Sequence, residues 1–576
     1  MQIKEVEKLT SLTAKAIRLY EERGLISVTR GQNTYRDYSP ETVEKLRRIR
    51  LLRGAGISLS DISLWSDGVI TLREILAKRK HEIRNANDNV RKQYALCEKL
   101  LSACDGEVGV FDESDDRVAV PGKTGRIAVG IDIGTTTISA SAVDTARCVQ
   151  IETWNFLNGG RIPSGDESVR EQDPEYIYGK TVKLIDSIMH KYGSVSVIGI
   201  SGQMHGIVYT DAKGRALSPL ITWQDRRSGK PTASGKSYAD ELSCMCGERI
   251  SDGFGFATHY MMTKTGRLPA GAAYMMSVMD YLLMRLCTLT EPVTHPSVAA
   301  SFGLFDVVGG NYSYNRISAS GLDNIGLPNV VNEQICGYYR GVPVAVAIGD
   351  NQAGVFGALA REEGGILLNY GTGSQINAVT DRSGKIEGLE LRPYLFGKFL
   401  QNGSALCGGR AYALLESFFG SYTEACGIGR SSQYEIMNKL AALTVDDCDC
   451  PKVDTRFCGS REFPDAKGSI SGVSEENFTP GKLIVGVLRG MADELADMAK
   501  KLPETNGMLV ASGNAVRKNP TFRRIIADRF GKKLFIPTSD EETAFGTALF
   551  AAVCAGIADI SKVKQCISYQ NEEEKL

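Results

Sequence analysis

Along the first hundred residues the apolar positions keep helical spacing. Ile3, Val6 and Leu9 recur by threes, and a second periodic segment, TAKAIRLYEERGLI, follows Leu12 and ends around Gly24. Two short helices with a tight turn are predicted. The next run, GLISVTRGQNTYRDYSPETVEKLRRIRLLRGAGISLSDI, places a Gly/Asn turn between β-prone stretches and then two more amphipathic helices. After Gly68, the residues Leu72, Leu76, Ile83, Ala86, Val90, Cys97 and Leu100 form one stripe on a single long helix, a seam suited to a second helix. Residues 105–126 are acidic, carry Gly and Pro and show little periodicity, which predicts a linker.

Beyond the linker the pattern changes to that of an α/β protein. IAVGIDIGTTTISASAVD is an apolar run, a Gly/Thr turn and a second β-prone run, the pattern of a hairpin. GGILLNYGTGSQINAV repeats the device far downstream, and LVASGNAVRKNPTFRRIIADRFGKKLF predicts a strand, a turn at Gly513 and a helix. A chain of 576 residues is too long for one core, so several domains are expected. No apolar run approaches the roughly 18 residues that span a bilayer, and MQIKEVEKLT lacks the apolar centre of a secretory signal. A soluble, cytoplasmic protein is expected, with no membrane partner.

The fourteen cysteines are scattered, which in such a compartment predicts reduced thiols. Cys448, Cys450 and Cys458 cluster without a zinc-binding spacing. Net charge is −1, yet the chain through Asp105 holds 20 Lys and Arg against 14 Asp and Glu, about +6, leaving about −7 for the rest. A basic front module on an acidic body suits an anionic partner such as nucleic acid.

The helical front is a helix-turn-helix pattern, whose second helix would bring Lys15, Arg18 and Tyr20 to the major groove. Arg30, Tyr35 and Arg36 would sit on a wing and hold phosphate oxygens. The runs RLYEERGLI, TYRDYS and LRRIRLLRGAGISLSDI resemble the N-terminal domain of MerR-family transcription regulators. That resemblance covers about residues 1–70 and implies a homodimer through an antiparallel coiled coil, reading two half-sites of double-stranded DNA. Leu19 departs from the family, which usually has an aromatic residue there.

The body points to phosphate chemistry. The turns Gly134-Thr135-Thr136-Thr137 and Gly371-Thr372-Gly373-Ser374 offer backbone N–H groups and hydroxyls to anionic oxygens, and Asp132 can orient a hydrated magnesium ion. Gly122-Lys123-Thr124 only mimics the end of a P-loop, because Arg117 stands where that motif needs glycine. Duplicated phosphate loops resemble the actin-like ATPase superfamily, with ATP in a cleft between two related lobes. The segment at Gly513 resembles its adenosine-binding segment, with Asn514 or Asn519 toward the purine, although Ser512 replaces one of the usual glycines.

SGQMHG, the W-x-D-x-R pattern and GDNQAG are together similar to the FGGY carbohydrate kinases, from about Ile127 to Gly556. The wording ITWQDRR, with GFGFATHYMMT, looks closer to sedoheptulokinases than to xylulokinases. The resemblance implies Asp350 as the carboxylate that accepts the proton of a ketose hydroxyl. Gln203, Met204, His205, Trp223, Asp225, Asp350 and Asn351 would surround the sugar, with ATP and Mg2+ as cofactors. Singly, each residue has a structural alternative: a core histidine, a core tryptophan, a turn aspartate.

The expected architecture is multidomain: an all-α winged helix-turn-helix (1–70), a dimerisation helix (71–104), a linker (105–126), and two α/β lobes of the actin-like ATPase, ribonuclease H-like type. The lobes are expected at 127–360 for sugar and 361–556 for nucleotide, with a tail at 557–576. An active ketose kinase is the leading expectation. The alternatives are a regulator whose kinase-like region only senses sugar or nucleotide, and a metabolic enzyme with an inert helical appendage.

Overall fold

The computed structural model describes residues 1–84 and 126–570, apart from 2, 11, 31–35, 461–462, 464 and 504. The chain divides into two compact units.

The N-terminal unit begins with α1 (Ile3–Thr10) and α2 (Ala14–Glu22). Thr13 starts α2 by accepting the Ala16 N–H at 3.2 Å, and Gly24 ends the turn with φ of 71°. Strands β1 (Thr29–Arg30) and β2 (Arg36–Asp37) pair antiparallel, and α3 (Pro40–Gly54), α4 (Leu59–Ser66) and α5 (Leu72–Arg84) follow. Val6, Ile17, Leu46, Ile49 and Ile62 form the core. Lys15, Arg18 and Leu19 are exposed on α2.

Tyr20 differs from the expectation of a DNA-facing residue: it is turned inward with Ile17, because it lies on the apolar face of α2. Arg36 is engaged within the unit, its Nε donating to Glu21 at 2.7 Å. Tyr35 and the side chain of Arg30 lie outside the described residues, as does the expected seam beyond Arg84. In the described part of α5, Ile75 and Leu76 are buried, and Arg79 donates to the Ala55 carbonyl at 3.1 Å rather than standing on a seam.

The second unit is built on two sheets. The first uses β3 (Ile127–Ile133), β4 (Thr137–Asp144), β5 (Val149–Leu157), β6 (Val197–Gly202), β7 (Ile335–Tyr339), β8 (Val342–Ala345) and β9 (Ile348–Gly349). Their order is β7-β8-β6-β3-β4-β5, with β9 also pairing with β6. β3 runs parallel to β6 and is nearly continuously buried, which is why its sequence is an apolar run rather than an alternation. Helix α6 (Asp350–Ala358) leaves β9 directly.

The second sheet repeats the plan with β10 (Ile366–Tyr370), β11 (Ser374–Thr380), β12 (Glu390–Pro393) and β13 (Phe399–Ala405). Helices α7 (Gly409–Ala425) and α8 (Pro480–Ala499) precede β14 (Leu509–Ser512), α9 (Pro520–Phe530), β15 (Leu534–Phe535) and α10 (Glu542–Cys554). The order is β12-β13-β11-β10-β14-β15. In each sheet a hairpin (β3–β4, β10–β11) has a parallel strand (β6, β14) against its first member.

Helix α10, although last of these in sequence, crosses the first sheet: a Cβ on Gly130 would come within 2.1 Å of the Ala544 carbonyl oxygen. It also crosses α6 closely, since a Cβ on Gly546 would come within 2.0 Å of the Ala353 carbonyl oxygen. Residues 557–570 are packed rather than a bare tail. Lys564 Nζ donates to the carbonyls of Phe356 and Leu359 at 2.8 Å each, and the Tyr569 hydroxyl donates to that of Ala358 at 2.8 Å. The carbonyls of Phe356, Ala358 and Leu359 at the C-terminal end of α6 are thereby satisfied. Among the described residues no helix is long and apolar enough to cross a membrane.

Candidate active site

Asp132 on β3 lies opposite Ser201 on β6, and Ser201 lies opposite Ile348 on β9. Asp132 and Asp350 therefore stand at the carboxyl ends of two strands that flank β6. Ser201 Oγ donates to Asp132 Oδ1 at 2.9 Å and receives the Thr547 hydroxyl of α10 at 2.7 Å. Burial pushes the Asp132 carboxyl up to about 8, with the charges of Asp350 and Glu541 adding to it. Burial likewise raises Asp350 to about 6, against the Asn351 N–H and the Arg392 guanidinium, which favour its ionised form. Two carboxyl groups disfavoured as anions in this way form an environment that a nearby cation relieves.

Each phosphate-type turn is held differently. Thr135 in the first donates from Oγ1 to Gln203 Oε1 at 3.0 Å and accepts from Trp223 Nε1 at 2.9 Å. Gln172 Nε2 donates to the Thr135 carbonyl at 2.7 Å, Gln203 donates to Gln172, and Asn158 donates to the Gly134 carbonyl at 2.7 Å. The Thr135 hydroxyl thus bridges the sugar-segment residues Gln203 and Trp223, a role that residue type alone did not reveal. Thr136 is exposed at the turn and Thr137 begins β4.

In the second turn, Gly371 and Thr372 accept the Gly409 and Arg410 N–H groups at 2.9 and 3.1 Å. Gly373 precedes Ser374, whose Oγ is buried with no hydrogen-bond partner among the described residues. A Cβ on Gly408 would lie 2.1 Å from that Oγ, so only glycine fits there. Gly513 has φ of 97° and abuts the Tyr370 carbonyl, which bars any side chain. Asn514 opens a short helix, Asn514–Arg517.

Asn519 is a correction: it caps α9 by accepting the Phe522 N–H at 3.0 Å and donates to Asn438, so its side chain is used internally.

Among the residues expected around a sugar, Gln203 and Met204 are buried and Trp223 is exposed. His205 has φ of 72°, donates its N–H to Ser301 Oγ, and stacks on Phe254 at 4.3 Å. Its Nδ1 lies 2.6 Å from the Ser301 carbonyl, which can only accept, so Nδ1 carries the proton and Nε2 is the acceptor of the neutral ring. Met204 and His205 line a cavity of about 120 Å³ with Ser297, Ser301 and Arg392.

Asp225 is also corrected. It is almost fully buried and accepts from the Arg170 N–H and from Arg227, at 2.9 Å each, so the aspartate and arginine of W-x-D-x-R satisfy one another. Asn351 donates to Gln375 at 2.7 Å, while its Oδ1 is buried with no partner among the described residues.

Sequence reasoning missed three features. Glu541 accepts from Asn155, the register partner of Ser139, which in turn lies opposite Asp132. Gly408-Gly409 brings the start of α7 against the second turn, and a Gly-Gly pair before a helical run was a usable signal. The charge of Arg392, on the second sheet, acts on the Asp350 carboxyl, which no local motif announces.

Two sheets that repeat one plan, each with a Gly- and hydroxyl-bearing hairpin turn, and the acids Asp132 and Asp350 at two strand ends of the first, define a sugar kinase-type molecule of the actin-like ATPase fold. Residues 127–357 match the N-terminal domain, and residues 367–555 the C-terminal domain, of the FGGY family of carbohydrate kinases. The chain belongs to that family and is a carbohydrate kinase. Residues 1–68 match the MerR HTH family regulatory protein.

Curated relatives include the sedoheptulokinases of Mus musculus and Homo sapiens. They are 24% and 25% identical over 73% of this chain and 96% of theirs. A Bacillus subtilis gluconokinase is 22% identical over 75% of the chain and 88% of its own length. The solved xylulose kinase from Rhodospirillum rubrum shares the fold with a TM-score of 0.68, 19% identity, and coverage of 77% of this chain and 93% of that one.

Proposed function

We propose that the chain is an ATP- and Mg2+-dependent ketose kinase, acting on sedoheptulose or a xylulose-like sugar, fused to a DNA-binding regulator module. The observation that carries the catalytic reading is the placement of two carboxylates, Asp132 and Asp350, at the ends of the strands that flank β6. Asp350 accepts the proton of the attacking sugar hydroxyl, and Asp132 orients the metal through water. ATP with Mg2+, when bound, supplies the phosphoryl group and the positive charge that balances it. The orphaned Ser374 Oγ and the side-chain-free approach at Gly408 suit phosphate oxygens. Asn514 remains a candidate for the purine.

His205 Nε2, Asn351 Oδ1 and the Trp223 ring are the proposed sugar contacts. Sedoheptulose is favoured by the ITWQDRR wording and by the two sedoheptulokinase relatives. In the N-terminal unit, exposed Lys15 and Arg18 on α2 are the proposed DNA contacts of a winged helix-turn-helix that dimerises through the helix begun by α5. Residues 1–70, 71–104, 105–126, 127–360 and 361–556 are the proposed divisions of the chain.

An ATP-consumption assay of the full chain across a ketose panel tests the substrate reading. Higher kcat/KM for sedoheptulose than for D-xylulose is expected; equal or reversed values refute the preference. No turnover of any ketose refutes the ketose reading.

A further inference from the structure

Asp350 follows Gly349, and that peptide is held by a chain of buried side chains that none of the motifs contains. The Gly349 N–H donates to Ser297 Oγ at 3.1 Å. Ser297 Oγ lies 2.8 Å from His295 Nδ1, and the Ser297 N–H donates to the same nitrogen at 3.1 Å. A ring nitrogen that accepts a backbone N–H carries no proton, so the neutral ring holds its hydrogen on Nε2. Nε2 faces Glu333 Oε1 at 3.2 Å, and that same oxygen accepts the Phe396 N–H from the turn between β12 and β13. His295 and Ser297 are almost completely buried.

The path thus runs from the second sheet to the residue before Asp350. The residues after Asp350 are tied to the same sheet. Asn351 donates to Gln375 on β11, and Gln352 donates to the Pro393 carbonyl on β12 at 3.0 Å. The start of α6 is therefore gripped on both sides by one lobe while it belongs by its strand, β9, to the other.

We propose that Ser297, His295 and Glu333 are positioning residues that set Asp350 by coupling its peptide to the β12–β13 turn. The base then reaches its working geometry only while the two lobes are engaged. Misplacement by about 1 Å costs on the order of 100-fold in rate, so small shifts of this peptide are sufficient. The proposal rests on Asp350 being the base, so Asp350→Asn is measured beside it.

The test uses the full chain with ATP and whichever ketose the panel identifies. Ser297→Ala should lower kcat about 10- to 100-fold while the calorimetric affinity for the non-hydrolysable ATP analogue stays within about threefold, since positioning is separable from binding. Glu333→Ala should lower kcat similarly, and Glu333→Gln should restore it to within about threefold, because an amide oxygen still accepts both N–H groups. Combining Ser297→Ala with Glu333→Ala should cost no more than either alone, as expected for one path.

If Asp350→Asn is inactive but Ser297→Ala keeps wild-type kcat, the relay is refuted and the base assignment stands. If Asp350→Asn retains activity within about tenfold, the base reading itself fails. A lower melting temperature with unchanged kcat per folded molecule, or a Glu333→Gln variant as impaired as Glu333→Ala, also overturns the relay.

Discussion

Trp223 Nε1 donates to Thr135 Oγ1 at 2.9 Å, so the indole proposed as a sugar contact and the first Gly/Thr turn share a hydrogen bond. Trp223→Phe keeps an aromatic face and deletes the donor. Both KM values, for sugar and for ATP, should rise about three- to tenfold, in keeping with a net contribution of about 1 kcal/mol from one hydrogen bond. Steady-state kinetics with each substrate varied in turn would check this; a change confined to the sugar would mean the bond transmits nothing to the turn.

Asp350→Asn keeps the shape of the side chain and removes its basicity. Phosphoryl transfer should fall by at least about 100-fold, with sugar affinity by calorimetry little changed.

Lys564 is buried against Glu362 at 2.9 Å while it caps α6. Lys564→Met leaves that carboxylate with Lys398 at 3.4 Å and the Tyr394 hydroxyl, and should destabilise the chain by up to about 3 kcal/mol, the lower end of the cost of breaking a buried pair. Adding Glu362→Gln should recover part of the loss, because the carboxylate charge is then gone. Thermal unfolding of both variants measures the two effects.

Asp280 is completely buried near the start of its helix, and burial raises its carboxyl to about 7 despite the Ser277 hydrogen bonds. The folded state holds this proton more tightly than the unfolded chain does, whose carboxyl has the ordinary value of 3.8. Stability therefore falls as pH rises between those two values, the folded state binding more protons throughout. Asp280→Asn, which cannot ionise, should flatten the pH dependence of the melting temperature in that window.

Lys15→Ala and Arg18→Ala should each weaken binding to a promoter fragment and reduce the slope of log affinity against log salt by about 1, the effect of one lost phosphate contact. Sugar and an ATP analogue, added singly and together, should change that affinity by a common factor that DNA returns to ligand binding. Titrations under the four ligand conditions measure the factor; four identical curves would mean tethering without coupling.

The periodic and glycine-bearing features were legible in advance. The two hairpins, the strand before Gly513 and the α1–α2 pair follow from local patterns that tertiary packing leaves intact. What was not legible depends on partners distant in sequence. Tyr20 was assigned outward because residue type does not say which face of a nine-residue helix is covered. Asp225 and Asn519 were read as ligands because an acceptor in a motif looks the same whether it awaits a substrate or an Arg227 or Phe522 N–H. Arg392, Glu541 and the His295 path come from strands and loops far from Asp350 along the chain, and only the crossing of α6 with α10 and the β12–β13 turn brings them there.

The cap that Lys564 and Tyr569 place on α6 also sets an order of events in biosynthesis. The ribosome makes Asp350 more than 200 residues before Lys564, an interval of roughly 10–40 s at about 5–20 residues per second. Throughout it α6 has open carbonyls, and for nearly all of it the helix α10 that packs beneath α6 has not been made. The N-terminal unit, by contrast, also takes in Gly179–Gly193 and so has its partners within about the first two hundred residues, before Asp350 is made. A chain terminated within that interval would lack catalytic competence, and chaperone dependence should fall on the kinase lobes.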